Sequence, residues 1–128
     1  WDAERLIQLN ACQMFNIKLG KWGGFYKGKK IAELGAAAGL HMQVGGFMES
    51  RLGMTAAAHL ALSNSHIYHC DFVTPLMYTE DPVIGGIRYL ENGVIDVPEV
   101  PGLGAVIDES YLKEENSWKG PLSPGGGT

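Results

Sequence analysis

Phe15-Asn16-Ile17-Lys18-Leu19-Gly20-Lys21 is the stretch that decides the fold. With the two-residue period of a strand, Phe15, Ile17 and Leu19 face one side, and Asn16, Lys18 and Gly20 face the other. One face is apolar and the other polar. In a parallel strand with helices packed outside it, the apolar face meets the helices. Lys18 then projects toward a barrel interior near the strand's carboxyl end. An ammonium is costly to bury unless it is paired or gives up its proton, and general-base lysines are made in this way. The alternative is an edge strand from which Lys18 reaches into water.

Outward from that strand the pattern repeats. Residues 2–10 carry Leu6, Ile7 and Leu9 among charges, which predicts a short amphipathic helix that Asn10 closes. Residues 25–38 predict a helix with Ile31, Leu34 and Ala38 on one stripe and Gly39 as its stop. Lys27, Lys29, Lys30 and Glu33 read as its solvated face rather than as a phosphate site. Residues 41–44 form a short strand that runs into Gly45-Gly46-Phe47-Met48-Glu49-Ser50. Ser50 is placed to cap a helix over 51–62, whose Leu52, Ala56, His59 and Leu60 share a face, with His59 a satisfied core histidine. Residues 67–73 predict a third strand, with Ile67, His69, Asp71 and Val73 on one side and Tyr68, Cys70 and Phe72 on the other.

Strands alternating with helices call for an α/β fold with a parallel sheet and right-handed crossovers. Past Thr74 the chain breaks into short extended pieces at 87–90, 94–97 and 104–107, and Asn92-Gly93 between two of them is a hairpin signal. Tyr111 and Leu112 begin a frayed end, and Gly125-Gly126-Gly127 closes a loose tail. Two and a half strand-helix units cannot close a barrel. Either the sheet stays open at its edges or the chain is part of something larger, and the second reading is favoured.

Composition narrows the partners. Ten basic and fourteen acidic residues form no basic patch, so neither nucleic acid nor an anionic membrane surface is expected, and the partner should be a small molecule. Cys12 and Cys70 stand without a CxxC or metal-ligand spacing, which points to a reducing compartment and structural thiols. No apolar run approaches a membrane span and residues 1–5 do not read as a signal peptide. A soluble, cytoplasmic protein is therefore the expectation.

Several blocks, in order, carry a resemblance: NIKLGKWGG (16–24), GGFMESRLGMTAAAH (45–59), DFVTPL (71–76), DPVIGG (81–86) and PGLG (101–104). From about Asp2 to Leu112 they resemble the carboxy-terminal part of the enolase superfamily, muconate-lactonizing subgroup, and within it the dipeptide (Ala-Glu type) epimerases. That resemblance implies the last three strand-helix units of a modified TIM-type β/α barrel at residues 1–80. It also implies a segment at 81–112 that closes back toward a capping domain, and a flexible tail at 113–128.

The chemistry that the resemblance implies is racemisation or epimerisation. Two lysines exchange the α-proton beside a carboxylate while magnesium stabilises the enolate. Lys18 falls on one of the two lysines. Glu49 falls on a pocket-lining acidic position, Phe47 and Met48 shape the side-chain pocket, and Lys21 is a supporting charge. Asp71 falls on the first of two aspartates that grip a dipeptide's ammonium. Val73 stands where the second would be, which favours an N-acyl or other uncharged substrate as the alternative. The metal ligands, the partner lysine and the capping domain fall upstream of Trp1 in the family pattern. No metal ligand is therefore expected here, and the bare chain is expected neither to bind magnesium in the family's way nor to epimerise anything. The substrate class is a dipeptide or N-acylamino acid carboxylate, and a homo-oligomer is expected. The competing activities are o-succinylbenzoate synthesis, N-acylamino acid racemisation and cycloisomerisation, or a non-catalytic half-barrel serving as an assembly module.

Overall fold

A computed structural model of the chain describes residues 2–113. The elements are α1 (Asp2–Gln8), β1 (Met14–Ile17), α2 (Leu19–Trp22), α3 (Phe25–Ala37), β2 (His41–Gly45), α4 (Arg51–Leu62) and β3 (Ile67–Asp71). They are followed by β4 (Val83–Gly85), β5 (Arg88–Tyr89), β6 (Ile95–Asp96) and β7 (Ala105–Ile107). β1, β2 and β3 make one parallel sheet in that order. β4 pairs antiparallel with β7, and β5 with β6.

The two-residue period sorts the sheet as expected. Phe15 and Ile17 of β1 and Met42 and Val44 of β2 are buried in one core with Ile31 and Ala32 of α3 and Met54, Ala57, Ala58 and Leu60 of α4. The opposite face carries Asn16, Gln43 and His69 in register across the three strands. Asn10 closes α1 in the left-handed region, at φ 47°. Its amide donates to Ile7 O at 2.9 Å, and the Ala11 amide donates to Leu6 O at 3.0 Å.

Helix faces and strand ends differ from the expectation, each for a physical reason. On α3, Ile31 is buried, but Leu34 is half-buried and Ala38 is exposed and lies beyond the helix. The buried stripe instead includes Gly28 and Gly35, where the helix backbone closes on the sheet. A Cβ at Gly35 would stand 2.5 Å from Met42 Sδ. On α4 the inner face is Met54, Thr55, Ala57, Ala58 and Leu60, while Leu52, Ala56 and His59 are half-buried. Ser50 occupies the N-cap with φ −65° and ψ 172°, but its hydroxyl makes no capping bond.

β1 stops at Ile17, not Leu19, because the Lys18 carbonyl already accepts the Lys21 and Trp22 amides at 3.0 and 3.1 Å and starts α2. β3 stops at Asp71, not Val73. Val73 has φ −80° and ψ −14° and opens the short 3-10 turn Thr74–Met77. Strand alternation therefore does not put Val73 on the wall that bears Asp71.

The second half packs back on α4. The Asn92-Gly93 pair joins β5 to β6 as read, with φ 58° and 75° at the two residues. The β4–β7 pair was not anticipated. Arg51 at the start of α4 donates from Nη2 to Val83 O, from Nη1 to Gly85 O and from Nε to the Asp81 carboxylate. His59 Nε2 donates to Leu103 O at 3.3 Å, which makes it a satisfied histidine, though half-buried. The expected tail lies, past Lys113, outside the described residues. Cys12 and Cys70 are free thiols. No helix among the described residues is long and apolar enough to cross a membrane.

Two stability predictions arise from this joint. Thr55 is fully buried; its hydroxyl donates to Arg51 O at 2.7 Å and accepts the Ile87 amide at 3.0 Å. Thr55→Val keeps the shape and strands that buried amide, so chemical denaturation should show a loss of about 1–3 kcal/mol, with Thr55→Ser retaining the bond. An unchanged midpoint for the valine variant would contradict the assignment.

The Tyr89 hydroxyl donates to Phe72 O at 2.5 Å. Burial pushes its phenol above the ordinary 10.0, with the Arg51 guanidinium opposing the rise and the Asp81 carboxylate adding to it. As pH rises past 10 the unfolded phenol loses its proton while the folded one keeps it, so stability should fall with rising pH there. Denaturation followed through that range should show the extra loss in the natural protein and not in Tyr89→Phe.

Candidate active site

The residues singled out by sequence meet at the carboxyl ends of the three parallel strands. Gly45 pairs with Asp71, and Lys18 lies one step past the Ile17–Val44 pair. Lys18, Gly45 and Asp71 thus share one row of the sheet with glycine in the middle. Two strand spacings separate the outer Cα atoms by about 10 Å. The space that a Gly45 side chain would take is filled by the Asn16 side-chain amide, whose Oδ1 lies 3.0 Å from where a Gly45 Cβ would stand. Lys18 is half-buried with extended φ and ψ of −122° and 110°, and Asp71 is exposed. No ion pair joins the two. The ammonium's neighbour is instead Phe47, whose ring centroid lies 5.9 Å from Lys18 Nζ and 4.2 Å from Lys21 Nζ. A ring face attracts a cation at such range by about 0.5–1 kcal/mol at exposed positions.

The loop after β2 supplies the rest. Glu49, half-buried just before α4, accepts the Phe47 amide through Oε2. Its carboxylate fits between two glycines: a Cβ at Gly20 would meet Oε1 at 3.1 Å, and one at Gly46 would meet Oε2 at 3.2 Å. Glu49 therefore lies beside the turn that follows Lys18, closer to the lysine's own strand than its place after β2 indicates. Phe47, Met48 and Val73 are exposed on this rim. The loop is tied to β3 by Gly46 N donating to Asp71 O at 3.1 Å and by Thr74 Oγ1 donating to Glu49 O at 3.2 Å.

Magnesium requires several oxygen ligands in near-octahedral order. The carboxylates at these strand ends are Glu49 and Asp71, and the described residues bring no three His, Cys, Asp or Glu side chains together. The residues present do not fit the metal.

Sequence reasoning missed Arg51, Thr74 and Tyr78 as supports of this site. Arg51 carried one local sign, a cation in the first turn of a helix where the dipole disfavours it unless a partner stands by. Thr74 and Tyr78 carried none, since their partners lie about 25–30 residues away.

Helices outside, parallel strands within, and titratable side chains gathered at the strands' carboxyl ends define a segment of a TIM-type β/α barrel that bears part of its active-site face. Residues 1–111 match the model of the family described as "Enolase C-terminal domain-like", and the chain belongs to that family. It is 54% identical over 112 residues to the D-Ala-D/L-Ala epimerase of Cytophaga hutchinsonii, covering 88% of this chain and 30% of that protein. It is 41% identical over 114 residues to the L-Ala-D/L-Glu epimerase of Bacillus subtilis, covering 89% and 31%. A crystal structure of the dipeptide epimerase from Cytophaga hutchinsonii, complexed with Mg and the dipeptide D-Ala-L-Val, matches with a TM-score of 0.84 at 54% identity over 87% of this chain and 30% of that one. The chain spans about 30% of the length of the relatives it matches. They are epimerases of the muconate-lactonizing branch of the enolase superfamily.

Proposed function

We propose that the protein carrying this chain is a racemase or epimerase that removes and returns the α-proton of a small carboxylate substrate, a dipeptide in the first instance. The observation that supports this reading is the row Lys18, Gly45, Asp71, which sets a lysine and an aspartate at the carboxyl ends of neighbouring parallel strands. Lys18 as a free amine takes the α-proton from one face. The C–H electron pair moves toward the substrate carboxylate to give an enolate, and a second base outside this chain returns a proton from the other face. Asp71 holds the substrate's ammonium, Phe47 and Met48 bound its side chain, Glu49 fixes the loop that carries them, and Lys21 adds positive charge nearby. Magnesium belongs to the complete enzyme through ligands outside this chain. Residues 81–112 serve as the closing segment toward a capping domain, and residues 1–128 alone are inactive.

The test is the α-proton beside the carboxylate of L-Ala-L-Ala in D₂O, followed by proton NMR. The complete enzyme should wash out that signal and produce the diastereomer, whereas the bare chain should do neither. Absence of exchange by the complete enzyme on any dipeptide would overturn the reading. A second reading, an N-acylamino acid substrate, is favoured by the end of β3, which carries one carboxylate, Asp71, before the chain turns at Val73. Faster exchange on N-acetylalanine than on L-Ala-L-Ala would select it.

A further inference from the structure

Beside the strand ends lies a cleft of about 380 Å³ whose walls include Met48, Ser50, Pro75, Tyr78, Glu80 and Tyr111. Arg51 to Asp81 and Tyr111 to Glu80 are bonds among its walls, and the bond that reaches the β2 loop is the one by which the Tyr78 hydroxyl donates to the Met48 carbonyl. Met48 has φ 57°, in the left-handed region that a side-chain-bearing residue occupies only when its surroundings hold it there. The Phe47 amide bonds to Glu49 on one side, and Thr74 bonds to the Glu49 carbonyl on the other. Thr74 and Tyr78 both belong to the segment after β3, where Pro75 stiffens the 3-10 turn that Tyr78 caps. The shape of the β2 loop is therefore imposed from the neighbouring strand's loop. The ring that this loop presents, Phe47, is the one lying over Lys18 and Lys21.

We propose that Tyr78 is a positioning residue for substrate selectivity: its hydroxyl holds Met48 in the left-handed conformation and thereby aims Phe47 and Met48 at the variable side chain of the substrate. This rests on the epimerase reading above. Tyr78 touches no reacting atom, and Tyr78→Phe keeps the ring and removes only the strut.

The experiment compares the complete enzyme with its Tyr78→Phe variant on L-Ala-L-Ala and L-Ala-L-Phe in D₂O, with backbone amide exchange of residues 46–49 measured on the same samples. The ratio of kcat/KM between the two dipeptides should change by about fivefold or more, carried by KM rather than kcat. Amide exchange in the loop should quicken by about fivefold or more while the thermal midpoint stays put. The two results together support the proposal. An unchanged ratio overturns it, as does a changed ratio with unchanged loop exchange, or a loss in kcat that tracks a fallen midpoint. If the natural enzyme exchanges neither dipeptide, the epimerase reading fails and takes this one with it. Turnover by the natural enzyme with an unaltered ratio in the variant sinks the Tyr78 assignment alone.

Discussion

Lys18→Ala in the complete enzyme should slow α-proton exchange by about 10²–10⁴-fold, the range a positioned general acid or base contributes. The expectation follows from where the lysine stands. The backbone stays extended through Lys18 and turns helical at Leu19, so Lys18 stands at the sheet's carboxyl rim, in the row that ends at Asp71. Lys18→Arg sharpens the result. A guanidinium keeps the positive charge but does not give up its proton, so a purely electrostatic role would survive the exchange and a proton-transfer role would not. We expect the arginine variant to be slowed as much as the alanine one, with far-UV circular dichroism unchanged in both. Unhindered washout of the α-proton in Lys18→Ala would remove the lysine from the chemistry.

The second large effect is on stability. Arg51→Met should cost about 3 kcal/mol in chemical denaturation, because one guanidinium serves the carbonyls of Val83 and Gly85 and the Asp81 carboxylate, and bonds to charged groups contribute about 1.5–3 kcal/mol each. The three do not sum in full, since the Asp81 side chain is 41% exposed and keeps water as an alternative partner. Arg51→Lys should recover only a minor part, as one ammonium cannot reach three acceptors set around a planar fork. Loss of the fork frees β4 from α4 and loosens the Asp81 wall of the cleft beside Met48. A variant as stable as the natural protein would show that residues 83–87 are held on α4 without the guanidinium.

These effects divide along the line between what was legible in the sequence and what was not. Short-range patterns read correctly: the alternation at Phe15, Ile17, Met42 and Val44, the stop at Asn10 and the turn at Asn92-Gly93 each depend on residues within a few positions. Helix faces read less well because Gly28 and Gly35 make α3 bury backbone where a hydrophobic stripe would predict Leu34 and Ala38. The strand ends at Ile17 and Asp71 slipped because Leu19 and Val73 suit a strand as well as the helical turns they enter.

The site was legible as a set of types and positions. Its bonding was not. Lys18 over Phe47, Tyr78 on Met48 and Arg51 on Asp81 join residues about 30 positions apart, and nothing local tells which partner each will meet. Lys18 and Asp71 share a row but stand two strands apart with Gly45 between them, and the lysine's near neighbour is the exposed Phe47 ring of the β2 loop.

The most direct measurement is a crystal structure of the complete enzyme with a bound dipeptide. Lys18 Nζ should stand about 3–3.5 Å from the substrate's α-carbon, the separation of a near-attack geometry, with the Asp71 carboxylate turned to the same ligand. A dipeptide bound with Lys18 on the far side of the sheet from its α-carbon would contradict the account.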